Sequence, residues 1–139
     1  IEDTFLVREQ LECLAIRLAA ERIGDRHLRR LEEALVEEAR AIEERDLETY
    51  LEVNEAFHKA VADASGNRVL AEYVENILAR TNAYVVFYDP FYQNETTPTV
   101  DSHKEILMAL RAHDSEKSVK LMKRHLKESI SGLSRIVEE

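Results

Sequence analysis

The segment VNEAFHKAV, residues 53–61, places Asn54 and His58 four residues apart in a stretch that otherwise follows the pattern of a buried helix face. Apolar residues from Leu47 to Val61 recur at the 3.6-residue helical period on the same side as these two polar side chains. Asp46 stands directly before the stretch, where an aspartate commonly caps a helix. The segment therefore predicts an amphipathic helix that turns one asparagine and one histidine toward a protein core.

Five similar segments surround this helix, and turn signals separate them. Gly24 followed by Asp25, and Gly66 followed by Asn67, each combine a helix-ending glycine with a residue that caps the next helix. Asp114 is a further cap. Because the connections are short, the sequence predicts an all-α fold, an antiparallel bundle of about six helices.

The predicted inner faces follow the apolar residues. In the first helix the expected stripe consists of Val7, Leu11, Leu14, Ala15, Leu18 and Ala19. In the second helix it includes Leu28, Leu31, Leu35, Ala39 and Ile42, and the glutamate pairs are left on the solvated side. Residues 89–98 contain both prolines and are the one predicted loop, and Pro98 fits the first turn of the fifth helix.

The composition limits the classes of protein to consider. A chain of 139 residues with 45% apolar residues, 3 glycines and 2 prolines is expected to fold as one helical domain over residues 1–139. A formal charge of -9 argues against DNA binding by this chain alone. The single cysteine fits a reducing cytoplasm, and no apolar run approaches the roughly 18 residues of a membrane span. The first residue is Ile1 rather than Met, so a further N-terminal region is expected.

Three of the five histidines share the phase of the apolar stripes. His58, His103 and His125 are predicted to face inward from three separate helices, whereas His27 and His113 fall at helix ends. A single buried histidine is usually explained by a hydrogen bond to a neighbour. Three together favour a divalent cation, which would satisfy all three imidazoles at once. Asn54 could add a carbonyl oxygen, and the remaining coordination positions would be open to water or a small anion.

Four stretches of the chain resemble a known family. They are VREQLECLAIRLAA, NEAFHKAVADASGN, SHKEILMALRAHD and AHDSEKSVKLMKRHL, at residues 7–20, 54–67, 102–114 and 112–126. In this order they resemble the C-terminal effector-binding domain, called FCD, of GntR-superfamily transcription regulators of the FadR type. The resemblance covers nearly the whole chain. It implies a helical bundle with an internal cavity that holds one divalent metal ion, zinc or nickel, and binds a small organic acid as effector.

The resemblance also implies a set of partners and ligands. The family's N-terminal winged helix-turn-helix domain would lie outside this chain, bind operator DNA and join two copies as a homodimer in the cytoplasm. The family's metal ligands fall on Asn54, His58, His103 and His125. Asn54 stands where the family usually has aspartate, so the site has one negative charge fewer, which is expected to weaken metal binding and favour an anionic effector.

Arg8, Asn76 and Arg80 are the candidate effector-binding residues. Arg8 shares a helix face with Glu12, and its guanidinium could clamp a carboxylate of the effector. The alternative for Arg8 is an ordinary surface ion pair with Glu12, which contributes only ~0.3 kcal/mol. Asn76 and Arg80 flank Ile77 in the fourth helix, where placement on the surface is an equally good interpretation.

Two other functions are compatible with inward histidines. A mononuclear metal hydrolase would need a general base beside the ion, and no inward aspartate or glutamate stands out near the three histidines. The chain is therefore predicted not to be an enzyme. A helical interaction or dimerisation module, in which the histidines are merely packed, is the second alternative, and the presence or absence of bound metal would separate it from a sensing domain.

Overall fold

The computed structural model describes the backbone of residues 1–88 and 98–138, and the side chains of residues 1–82 and 100–131. Over that backbone the chain forms six α-helices and no strand. The helices are α1 (Glu2–Arg22), α2 (Asp25–Glu43), α3 (Leu47–Ala64), α4 (Arg68–Tyr88), α5 (Pro98–Arg111) and α6 (Ser115–Glu138). The predicted all-α bundle of about six helices is confirmed.

The central helix of the bundle is α1. It packs most extensively against α6, and it also contacts α3, α4 and α5. The second helix takes a different course, because α2 packs against α3 and α5, and the described backbones of α1 and α2 do not come into contact. Only Ile23 and Gly24 join these two helices, and Ile23 has the extended backbone that redirects the chain. Residues of α3, α5 and α6 meet in one core, although α3 is far from α5 and α6 in sequence.

The predicted turn signals act where the sequence places them. Asp46, Asn67 and Asp114 each accept a backbone N–H from the residue three positions later, at 3.0 to 3.1 Å. Gly66 has a φ of 73°, a left-handed conformation that glycine adopts without strain at the end of a helix. One detail differs from the prediction, since Gly24 occupies the cap position of α2 and Asp25 is its first residue. Pro98 begins α5, and residues 89–97 of the predicted loop lie outside the described residues.

The inner faces of α1 and α2 agree only in part with the predicted stripes. In α1 the predicted Ala15 and Ala19 are buried, but Val7 and Leu14 are 50% and 38% exposed, and Arg8 and Glu12 are buried. In α2 the predicted Leu31 and Leu35 are buried, but Ala39 is exposed and Glu38 is buried. The prediction that all glutamates of α2 are solvated is therefore wrong for Glu38. In both helices, charged side chains therefore lie in the core.

Two further findings concern the helices and the surface of the described residues. Within the described part of the chain, no helix combines the length and the apolar character that crossing a membrane requires. Described side chains line a surface groove of about 190 Å³ between α1 and α6, whose wall includes Phe5 and Leu126. A second groove of about 600 Å³ follows the basic side chains of α6. Both grooves are open, and the internal cavity expected from the resemblance stays a prediction.

Candidate metal centre

Three histidine side chains meet in the core. His58 comes from α3, His103 from α5 and His125 from α6, and one ring nitrogen of each lies within 4.8 Å of the others. The His58 and His103 side chains are fully buried and that of His125 is 4% exposed. Phe57 stacks on the ring of His103 with 4.3 Å between centroids and fixes the plane of that imidazole. The predicted convergence of the three imidazoles is present.

Glu12 of α1 fixes the orientation of His58. Its Oε1 lies 2.5 Å from Nδ1 of His58, and its Oε2 accepts from Nε of Arg8 at 2.6 Å. All three side chains are buried. An ionised carboxylate can only accept hydrogen bonds, so Nδ1 of His58 carries the proton and donates. The lone pair of His58 is therefore on Nε2, the nitrogen on the opposite side of the ring.

Glu38 of α2 holds His103 in the same way. Nδ1 of His103 lies 2.8 Å and 3.1 Å from the two carboxylate oxygens of Glu38, and the carboxylate is buried. Nδ1 of His103 donates to this carboxylate, which again leaves the lone pair on Nε2. Nε2 of His103 in turn lies 3.1 Å from Nε2 of His125. His58 and His103 thus both carry their lone pair on Nε2, and His125 is the third histidine of the group.

The donor set fits a metal ion. Nε2 of His58 is a buried nitrogen with no hydrogen-bond partner in the described part of the protein, a costly state unless an ion takes its lone pair. An ion that binds imidazole nitrogens at about 2.0 to 2.1 Å holds neighbouring ligands roughly 3 Å apart, as His103 and His125 are. Histidines that bind metals typically donate their other ring N–H to a carboxylate, as His58 and His103 do here.

The electrostatics of the centre favour the neutral form of His58 and His125. Burial lowers the pKa of His58, against the opposing charge and hydrogen bond of Glu12. Burial also lowers the pKa of His125 well below its usual range, and the charges of His103, His58 and Arg8 act in the same direction. For Glu12, burial raises the pKa, but the charges of His58 and Arg8 and their hydrogen bonds outweigh it and lower the pKa to about 2. Neutral imidazole is the form that binds a metal.

The two buried glutamates were missed by the sequence analysis. The expectation that no inward acidic residue lies near the three histidines is wrong, because Glu12 and Glu38 contact His58 and His103 directly. Each carboxylate accepts a hydrogen bond from a histidine ring N–H and thereby fixes the orientation of a candidate metal ligand. A signal was present in the first helix, since Glu12 is one turn after Arg8 and one turn before Ala15 and Ile16.

The remaining predicted site residues lie at different distances from the core. Arg8 is 4% exposed, its guanidinium lies 5.4 Å from the Phe5 ring centroid, and its charge affects the pKa values of both His58 and His125. The predicted surface Arg8–Glu12 pair is therefore a buried one. Asn54 is half-buried on α3, one turn before His58, while Asn76 and Arg80 are exposed on α4. Metal binding by Asn54 and effector binding by Asn76 and Arg80 stay predictions.

The fold and the centre define a helical ligand-binding domain built around three convergent histidines. The model of the FCD domain matches residues 3–128, so the chain belongs to the FCD domain family, the effector-binding domains of GntR-family transcription regulators. The resemblance noted from the sequence is thus confirmed.

Two regulators of Escherichia coli K12 are similar in sequence. The HTH-type transcriptional regulator McbR is 29% identical over 111 residues, which cover 79% of this chain and 50% of McbR. The HTH-type transcriptional repressor RspR is 25% identical over 134 residues, 96% of this chain and 58% of RspR. The chain therefore spans between half and three fifths of these relatives. They are regulators and not enzymes, which agrees with the prediction that this domain is not an enzyme.

Solved structures share the fold. The structure of Escherichia coli McbR/YncC superposes with a TM-score of 0.87 at 24% identity, covering 96% of this chain and 67% of that one. Streptococcus agalactiae GntR superposes with a TM-score of 0.77, also at 24% identity, covering 91% of this chain and 56% of that one. At this level of identity the two structures support the architecture of the bundle.

Proposed function

We propose that this chain is the metal-dependent sensing domain of a bacterial transcription regulator, which binds a small carboxylate effector at a divalent ion. His58, His103 and His125 would hold the ion, with the side-chain oxygen of Asn54 as a further ligand. The observation that carries the proposal is the buried Nε2 of His58, a lone pair without a partner in the described residues, facing two further imidazoles. Imidazole donors and few charged ligands favour zinc or nickel over magnesium or calcium.

The effector would bind where the ion and Arg8 meet. Three imidazoles and one amide oxygen leave coordination positions open for a carboxylate oxygen. The buried Arg8 uses Nε for Glu12, and its two remaining nitrogens would take the second oxygen of the same carboxylate. The groove between α1 and α6 includes Phe5, over which the Arg8 guanidinium lies. Asn76 and Arg80 would contribute only to an effector large enough to extend to α4.

The complete regulator would carry an N-terminal winged helix-turn-helix domain ahead of the domain formed by residues 1–139. Support comes from the helix-turn-helix relatives, of which this chain spans between half and three fifths. Two such chains would form a homodimer and bind operator DNA in the cytoplasm. Effector binding would change the relative placement of the two DNA-binding domains, a coupling that typically amounts to about 1 to 3 kcal/mol.

Metal analysis of the purified domain tests the first half of the proposal. The wild-type protein is expected to contain about one zinc or nickel ion per chain, and His58→Ala and His125→Ala variants are expected to lose it. His27→Ala is the matched control, because His27 lies outside the centre on α2. A folded wild-type domain that takes up neither ion would contradict the proposal and leave an interaction module with packed histidines as the better interpretation.

Operator binding by the full-length regulator tests the second half. Small mono-, di- and tricarboxylic acids are added to the metal-loaded protein, and the operator affinity is measured at fixed salt concentration. At least one acid is expected to change that affinity, and Arg8→Met is expected to weaken the response to it. Equal operator affinities with every acid would count against a carboxylate effector while leaving the metal centre in place.

A further inference from the structure

Two of the three histidines are supported by a buried carboxylate, and the two supports are built differently. Glu12 divides its oxygens between His58 and Arg8, whereas Glu38 directs both oxygens to His103. Among the described residues, His125 has no carboxylate partner. The metal centre assigned under the proposed function therefore rests on side chains of α1 and α2, which contribute no ligand of their own.

We propose that Glu12 and Glu38 are positioning residues that create the metal-binding form of His58 and His103, and that Arg8 acts on the ion through Glu12. Each carboxylate accepts a hydrogen bond from the Nδ1–H group and so selects the tautomer whose lone pair is on Nε2. Without the carboxylate, a buried imidazole could carry its proton on Nε2, and that nitrogen would have no lone pair to bind the ion. This inference rests on the proposed function, because it concerns the same ion.

The geometry supports the selection of tautomers over simple packing. The Nδ1 to oxygen distances are 2.5 Å for His58 and 2.8 Å for His103, and the four side chains involved are at most 2% exposed. Water is therefore excluded as an alternative acceptor for either Nδ1. Both Nε2 atoms point away from their carboxylates and toward the same space, where Nε2 of His125 is the third donor. A carboxylate that hydrogen-bonds a ligating histidine typically raises metal affinity by about 10-fold to 100-fold.

The role of Arg8 follows from the position of its Nε. That N–H donates to Oε2 of Glu12 at 2.6 Å, so the guanidinium fixes the carboxylate plane that in turn fixes His58. Loss of Arg8 is therefore expected to act on the ion in the same way as loss of Glu12, and to leave the Glu38–His103 pair unaffected.

Zinc affinity, measured by competition with a chelator, tests the two carboxylates. Glu12→Gln and Glu38→Gln keep an acceptor oxygen without the charge and are expected to weaken zinc binding by about 10-fold, while length-matched Glu12→Met and Glu38→Met are expected to approach 100-fold. Glu37→Gln is the matched control, because Glu37 is the neighbour of Glu38 in α2 and pairs with Arg40 on the surface. The zinc affinity of the Glu37→Gln variant is expected to equal that of the wild type. If a methionine variant does not fold, the glutamine variants carry the test.

Histidine-ring NMR of the metal-free protein gives a readout that a merely structural role would not change. The wild type is expected to show protonated Nδ1 on His58 and His103, and each methionine variant is expected to lose that signal for its own histidine only. Wild-type protein that binds zinc, with all glutamate variants equal to it, would overturn this inference and leave the proposed function intact. Wild-type protein that binds no zinc or nickel would instead overturn the proposed function.

A double-mutant cycle tests the path from Arg8. Arg8→Met is expected to weaken zinc binding in the wild-type and Glu38→Gln backgrounds by the same factor, and to have little further effect in the Glu12→Gln background. An equal effect of Arg8→Met in all three backgrounds would mean that Arg8 acts on the ion by direct charge interaction, and the assignment of Arg8 as a positioning residue would be wrong.

Discussion

At the scale of single residues, each buried charged side chain among the described residues has a partner. Arg8 and Glu12 are 4% and 1% exposed and form an ion pair, and Glu12 also accepts from His58. Removing one member of such a buried pair commonly costs about 3 to 5 kcal/mol, because the other charge is left without compensation. The approximately 0.3 kcal/mol expected of an exposed pair therefore does not apply to these two residues.

Acidification is expected to destabilise the metal-free domain in two steps. Burial lowers the pKa of His58 and His125 in the folded state below the 6.5 of an ordinary histidine, so the unfolded chain binds more protons below that pH. The stability that these neutral imidazoles provide is present above pH 6.5 and is lost as the pH falls. Glu12, with its pKa lowered from 4.5 to about 2, adds a second loss below pH 4.5.

Urea unfolding of the metal-free protein at pH 7.5, 6 and 5 measures the first of these steps. The free energy of unfolding is expected to decrease along that series, and the decrease is expected to be shallower in His125→Gln. A stability that stays constant or rises between pH 7.5 and 5 would contradict the assignment of neutral, buried imidazoles.

Cys13 is expected to react slowly with alkylating reagents. Burial, followed by the charge of Glu9, raises the pKa of its thiol from 9.0 to about 11. The thiolate is the reactive form, so its fraction at pH 8 is about 100-fold lower than that of an ordinary thiol. Alkylation by iodoacetamide at pH 8 should be slower in the folded domain than in urea by a factor of this order. Equal rates in the two states would contradict it.

At the scale of helices, the turns were predictable, whereas the inner faces of α1 and α2 were predictable only in part. Caps and helix-ending glycines act through neighbours in sequence, so Asp46, Gly66 and Asn67 could be assigned from the sequence alone. The inner faces of α1 and α2 depend on His58 and His103, which lie 46 and 65 residues away and donate hydrogen bonds to the buried Glu12 and Glu38. A pattern that ranks residues by hydrophobicity assigns such carboxylates to solvent, although His58, His103 and His125 could be predicted because their own helices have regular apolar stripes.

The cap of α4 provides a test at this scale. Asn67 accepts from the backbone N–H of Leu70 at 3.0 Å and follows directly on Gly66. Asn67→Ala removes that acceptor and is expected to lower the free energy of unfolding by about 1 kcal/mol. Asn67→Asp is the matched control, since it keeps an oxygen in the same place, and it is expected to retain stability. A loss of equal size in both variants would point to a role of the amide nitrogen instead of the cap.

At the scale of the whole molecule, the candidate metal centre joins α3 to the consecutive helices α5 and α6, which are far from α3 in sequence. An ion held by His58, His103 and His125 would fix α3, α5 and α6 to one another and would bind the folded state alone. Zinc at 100 times its dissociation constant is expected to stabilise the domain by about 2.7 kcal/mol. Thermal unfolding with zinc, without zinc and with a chelator measures this.

The His58→Ala variant should show no such response to zinc, whereas the His27→Ala control should match the wild type. A wild-type melting temperature that is independent of both zinc and chelator, in protein shown by metal analysis to contain the ion, would contradict this cross-linking role.

The unequal sharing of the two buried glutamates has a consequence for the evolution of the domain. Glu12 accepts hydrogen bonds from both Arg8 and His58, so a substitution of either residue changes the environment of the other. The residues at positions 8, 12 and 58 are therefore expected to covary among related domains. Glu38 directs both oxygens to His103, and it is expected to covary with His103 alone. An alignment of FCD domains in which Arg8 changes freely while Glu12 and His58 persist would show that the trio is not under joint selection.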